Sequence, residues 1–68
     1  MIYYVANKNA QNTGEHEIHA WNCEWLPQRT NQVKLGDFNK CEDALQEARR
    51  YFRNVDGCFY CCNACHTK

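Results

Sequence analysis

The sequence predicts a small α+β domain: an antiparallel sheet of two or three strands, one main helix over about residues 40–54, and a cysteine-rich C-terminal turn, stapled by a metal. Three observations carry this prediction. Short β-branched and aromatic runs near the N-terminus are separated by a polar turn. Apolar residues recur at helical spacing in the second half. Cysteines and histidines stand in short-spaced pairs on both sides of that helix, as soft-metal ligands do.

Taken in order, Ile2 to Val5 reads as a first strand, and the Asn-rich stretch from Asn7 to Gly14 as a turn or hairpin loop. Glu15 to Trp21 returns as a second strand, with His16, Ile18 and Ala20 on one face and Glu17, His19 and Trp21 on the other. Residues 22–32, with the sole proline Pro27, read as irregular, and Val33 to Leu35 as a short third strand closed by Gly36-Asp37. Cys41, Ala44, Leu45, Ala48, Phe52 and Val55 then form one apolar stripe at spacings of three and four. Asn39 is the predicted N-cap, with Glu42 completing a capping box, and Asp56-Gly57 is the predicted stop. Early acids (Glu42, Asp43) and late bases (Arg49, Arg50, Arg53) match the helix dipole.

Sixty-eight residues allow one domain, residues 1–68, with no repeat or linker to divide it. A core of that size supplies only about 3–5 kcal/mol, so a staple is expected. Eight basic and eight acidic residues cancel, which removes the electrostatic footprint of a general phosphate binder. The N-terminus has no basic leader and too few consecutive apolar residues for a signal-peptide core or a membrane span. A cytoplasmic location follows, and in a reducing compartment clustered thiols are metal ligands more often than bridges.

His19-x3-Cys23 and Cys58-x2-Cys61 are the first-choice metal ligands. Zn–S and Zn–N bonds are about 2.3 and 2.0–2.1 Å long, so each pair must converge within one turn of chain, and Gly57 frees the backbone beside Cys58 for that approach. Three thiolates and an imidazole with no open position make a structural Zn2+ site. If residues 58–66 form a helical turn, Cys58, Cys61, Cys62 and Cys65 share one face, so Cys62 or Cys65 can replace Cys61; His66 is a further alternate. Cys41, on the helix stripe, reads as a buried thiol, with a ligand or a disulfide partner of Cys62 or Cys65 as the other readings. The usual ferredoxin spacings of an iron–sulfur protein are missing. His16-Glu17-Ile18-His19 is one residue short of the zincin motif and lies in a predicted strand, which sends its two histidines to opposite faces; metalloprotease chemistry is excluded.

Tyr4-Val5-Ala6-Asn7-Lys8-Asn9, His19-x3-Cys23 with Trp25-Leu26-Pro27, Phe38 leading into Asp43-Ala44, and Cys58-x2-Cys61 follow one another in an order that resembles the Ada-type metal-binding domain, the zinc module at the front of DNA-repair methyltransferases. The chain is also similar to short stand-alone bacterial proteins that carry HE[IV]H, C-x-W-L-P, L-G-x-F and D-G-C. The Ada-type resemblance covers most of the chain and implies a small sheet and helix around one zinc held by His19, Cys23, Cys58 and Cys61. Methyl-accepting members carry a cysteine where His19 stands, and an imidazole cannot act as that irreversible acceptor. The resemblance therefore implies the zinc module without the transfer activity.

The expected function is a non-enzymatic, structural-zinc module that binds a partner. A protein is the first choice, and weak nucleic-acid binding through Arg49, Arg50, Arg53 and Lys8 the second. The other reading is a thiol-redox or metal-handling protein that works through its C-terminal cysteines.

Overall fold

Tyr4, Val5 and Ala6 are buried in succession, so both faces of their strand are covered, which is the mark of a central strand. The computed structural model describes residues 1–67 and places this strand, β1 (Ile2–Asn7), between β2 (His16–Ala20) and β3 (Gln32–Phe38). The helix α1 (Cys41–Ala48) and a last short strand β4 (Val55–Gly57) follow. The sheet order is β3-β1-β2-β4, with β1 antiparallel to both neighbours and β4 parallel to β2. The α+β class holds. The sheet has four strands rather than two or three, and it is mixed rather than purely antiparallel.

The strand ends shift by one or two residues in β1 and β2, and larger differences fall at β3 and at both ends of the helix. β3 does not close at Gly36-Asp37 but runs on to Phe38 through a bulge: Tyr4 pairs with Gly36 and Val5 with Lys34, which leaves Leu35 as the extra residue. Gly36 has φ +117°, a conformation that costs a side-chain-bearing residue, and Leu35 is buried as a result. At the start of α1 the capping residue is Lys40, in an extended conformation, and Asn39 forms no capping box. The Lys40 carbonyl instead accepts hydrogen bonds from the Asp43 and Ala44 amides, at 3.1 and 3.5 Å.

The helix also ends at Ala48, well short of residue 54. Arg49 is its C-cap, and tight turns follow in which the Tyr51 and Phe52 amides both bond the Ala48 carbonyl at 3.0 Å. What ends it is tertiary. Phe52 leaves the helix line to stack on His16, with ring centroids 3.8 Å apart and planes 11° apart. The chain then runs alongside β2, where the His16 amide donates to Asn54 O at 2.9 Å and the Cys58 amide to Ile18 O at 3.0 Å. Val55-Asp56-Gly57 is therefore a strand and not a helix stop.

The core lies between one sheet face and α1. Tyr4, Ala6, Ile18, Ala20 and Leu35 meet Cys41, Ala44 and Ala48 there, with Leu45 and Phe52 packed around them. Ala44 and Ala48 are wholly buried, and their small side chains let the helix lie close on the sheet. The C-terminal segment closes the far end. A Cβ on Gly57 would lie 2.6 Å from both Cys62 O and Cys65 Sγ, so only glycine lets the last loop seat against β4. Beyond it, the buried Asp56 carboxylate accepts from the Thr67 amide at 2.8 Å and Oγ1 at 3.0 Å, which pins residues 63–67 back onto the sheet.

Candidate metal centre

β2 and β4 end side by side, and each leads into a short turn that carries thiols. In the first turn the Cys23 amide donates to Ala20 O at 3.1 Å, which folds Cys23 back toward His19. In the second the Cys62 amide donates to Cys58 O at 2.9 Å, which brings Cys61 over Cys58. The parallel bond from Cys58 N to Ile18 O locks the two turns in register.

His19, Cys23, Cys58 and Cys61 thus converge, with one ligand atom of each within 4.8 Å of the others. Cys23 Sγ lies 3.9 Å from Cys58 Sγ, and Cys61 Sγ lies 4.0 Å from His19 Nδ1. A tetrahedron with bonds of about 2.3 Å to sulfur and 2.0–2.1 Å to nitrogen has edges of about 3.8 Å between sulfurs and 3.5 Å between sulfur and nitrogen. The Cys23–Cys58 and Cys61–His19 edges exceed those values by about 0.1 and 0.5 Å, and with all ligand atoms within 4.8 Å of one another the side chains would draw in by at most about 1 Å to close on one ion. This group can hold a metal ion.

Two backbone amides favour thiolates at the cluster, and burial favours a neutral imidazole. The Ala20 amide donates to Cys61 Sγ at 3.2 Å and the Trp25 amide to Cys23 Sγ at 3.4 Å. Burial pushes the His19 pKa below its ordinary value, which keeps the ring neutral and its lone pair free to ligate. Burial raises the Cys61 thiol strongly, with the neighbouring Cys23, Cys62 and Cys58 adding to the rise and the Ala20 amide opposing it. A cation reverses that balance, because a coordinating thiol is deprotonated outright. His19 Nε2 lies 3.7 Å from Glu17 Oε1, on the side away from Cys61. At that separation Glu17 makes no hydrogen bond to the ring, but a modest approach would let its carboxylate accept from Nε2–H, as outer carboxylates do for metal-binding histidines. Its own pKa is raised, first by burial.

The other sulfurs and imidazoles go elsewhere. Residues 58–66 do not form one helical turn: Cys58 to Cys61 makes a turn of its own, and a short 3-10 turn follows at Asn63–Cys65. Cys58 and Cys61 face the cluster, while Cys62 and Cys65 join Cys41 in the core beneath the helix. Cys62 Sγ still lies 3.8 Å from Cys61 Sγ, and burial pushes its thiol up to about 11. Cys65 Sγ donates to Cys62 O at 3.6 Å, and its pKa is raised first by burial and then by the neighbouring Cys41. His66 Nδ1 donates to Gly57 O at 2.8 Å and lies 3.4 Å from Asp56 Oδ2. His16 Nδ1 is 2.9 Å from Asn7 O, far from the thiols in role and in partners. All six cysteines stand as thiols.

Sequence reasoning missed Glu17 and the two amide donors. Glu17 was within reach of it, since two-residue alternation already puts Glu17 and His19 on one strand face; the amide donors depend on turn geometry that spacing does not reveal.

The fold and site together define a small α+β domain built around a cluster of three thiols and one imidazole that can hold a metal ion. In comparisons with known proteins, no family model, no curated protein and no solved structure matches the chain. Among the described residues, no helix is long and apolar enough to cross a membrane.

Proposed function

We propose that this chain is a non-enzymatic module whose fold is held by one Zn2+ and whose task is to bind a protein partner. The convergence of His19, Cys23, Cys58 and Cys61 supports the metal. The donor set supports zinc: soft thiolates with one imidazole at tetrahedral edges suit a d10 ion with no geometric demand of its own. Four protein ligands leave no position for water or substrate, so the site stabilises rather than catalyses. The likeness of the ligand pairs to the Ada-type domain points the same way.

The redox reading has less to rest on. Cys41, Cys62 and Cys65 are all buried, and a thiol such as Cys62, pushed up to about 11, is almost wholly protonated near neutral pH and is a poor nucleophile.

Native mass spectrometry beside alkylation of the denatured, chelated chain tests the proposal. It predicts one zinc per chain and six alkylated cysteines. A metal-free chain carrying disulfides would overturn it.

A further inference from the structure

Apart from Met1, Ile2 and Tyr51, the large exposed apolar side chains all belong to the two ligand turns. Trp21 and Trp25 flank Cys23, and Phe59 and Tyr60 stand between Cys58 and Cys61; each is more than half exposed. Trp25 and Tyr60 stack with centroids 4.9 Å apart, and Phe59 meets Tyr60 edge-on at 5.2 Å. The two ligand turns are thereby joined on the outside by rings as they are joined on the inside by ligand atoms. Aromatic side chains of this kind carry about 150–250 Å² each, so four of them at half exposure show roughly 400–500 Å². That is within the range of the largest apolar patch on an ordinary monomer, about 300–600 Å², and such patches are commonly functional.

The charge around these rings is one-sided. Across residues 20–27 and 56–67 the carboxylates are Glu24 and the buried Asp56, the one titratable base is His66, which lies 3.4 Å from Asp56 and edge-on to Phe59, and no lysine or arginine is present. Glu17 adds a carboxylate beside His19. The cluster itself is never positive: three protonated thiols are neutral, and three thiolates with a neutral imidazole and a divalent ion sum to −1. Phosphates find no partner on this surface, so a nucleic-acid strand stacked on the rings would lack the contacts that dominate its affinity. A second copy would bring like charge against like. A cation meets both attractions at once, the negative faces of Trp25 and Tyr60 and the net negative charge behind them.

We propose that the aromatic surface over the two ligand turns binds a basic, arginine-bearing segment of a partner protein. The planar guanidinium stacks on Trp25 or Tyr60 while intervening apolar side chains cover Trp21 and Phe59. This deepens the module reading and rests on it only in that the metal holds the two turns together.

The test titrates the reduced, zinc-supplemented chain with a capped pentapeptide alternating arginine and leucine. Indole and backbone signals are followed by NMR, and the metal content of every sample is read by native mass spectrometry. Saturable shifts confined to Trp21, Trp25, Phe59, Tyr60 and their neighbours are expected, with a weakening of about tenfold in Trp25→Ala and in Tyr60→Ala. Arg50→Ala, on the far helix turn, should bind as the unchanged chain does. A glutamate–leucine peptide and an oligothymidylate should leave the rings unmoved. Equal binding of the acidic peptide, preferred binding of the oligonucleotide, a dimer that covers Trp25 in sedimentation, or no saturable shift at millimolar peptide would each overturn the proposal. If zinc is bound and the peptide is not, the surface assignment alone fails; if the peptide binds a metal-free chain, the surface stands and the zinc reading fails.

Discussion

His19 is a strand residue with two distinct nitrogens and two distinct neighbours: Nδ1 lies 4.0 Å from Cys61 Sγ, and Nε2 lies 3.7 Å from Glu17 Oε1. Glu17→Gln keeps the shape and removes the carboxylate charge beside His19 Nε2. We expect metal affinity to fall by about 10–100-fold with the fold retained, as read by competition with a chromophoric chelator. Unchanged affinity would make Glu17 a surface carboxylate and nothing more. Acid should act through the same imidazole. The folded pKa of His19 lies below its ordinary value of 6.5, so in that range the folded chain binds fewer protons than the unfolded one. The stability this burial permits is complete above about pH 6.5 and is lost progressively as the pH falls below it. Protons also compete with the metal for the thiolates, which moves the loss in the same direction. Denaturant midpoints measured from pH 8 to pH 5 should stay level and then decline; a midpoint that rises toward pH 5 would contradict this.

At the scale of elements, the helix and the first hairpin were legible because each has a period. The stripe Cys41, Ala44 and Ala48 did turn inward, and the β-branched and aromatic Ile2 to Val5 did become a strand. β4 was not legible. Val55-Asp56-Gly57 is three residues long, too short for alternation to register, and its partner β2 lies about 40 positions upstream, a pairing no local pattern announces. The same non-local pairing ended the helix early: Phe52 and Val55 fit the helical stripe, but His16 and the open edge of β2 gave them better contacts. Asn39 missed its capping role because the chain enters the helix through an extended Lys40. Gly57 is where the hidden strand can be tested. Gly57→Ala would drive a methyl into Cys62 O and Cys65 Sγ, both 2.6 Å from its position, and the first of these is backbone. Overpacking of this kind costs about 1–3 kcal/mol or more. Denaturant unfolding of the metal-loaded protein should show a loss of at least that size, and a change under about 0.5 kcal/mol would mean that the C-terminal loop does not seat against β4.

For the molecule as a whole, the convergence of His19, Cys23, Cys58 and Cys61 was legible because two short-spaced pairs in a small chain leave few other uses for their side chains. The division of the C-terminal cysteines was not readable, because helical spacing puts Cys58, Cys61, Cys62 and Cys65 on one face. The chain instead turns at Cys58–Cys61 and sends Cys62 and Cys65 beneath the helix. That division gives the small domain two centres. One is a packed core of alanines, thiols, Tyr4 and Ile18; the other is the cluster that ties the ends of β2 and β4. With a core worth only about 3–5 kcal/mol, the proposed zinc at the second centre would decide whether the chain is folded.

Chelation tests that claim most directly. Reduced protein is treated with excess chelator, and its melt and amide spectrum are compared with those of the zinc-loaded form. A structural site makes metal binding part of folding. Without metal, we expect collapsed amide dispersion and no cooperative melt, both reversed when one equivalent of zinc is returned. A chelated, reduced chain that keeps a dispersed spectrum and melts cooperatively would contradict it.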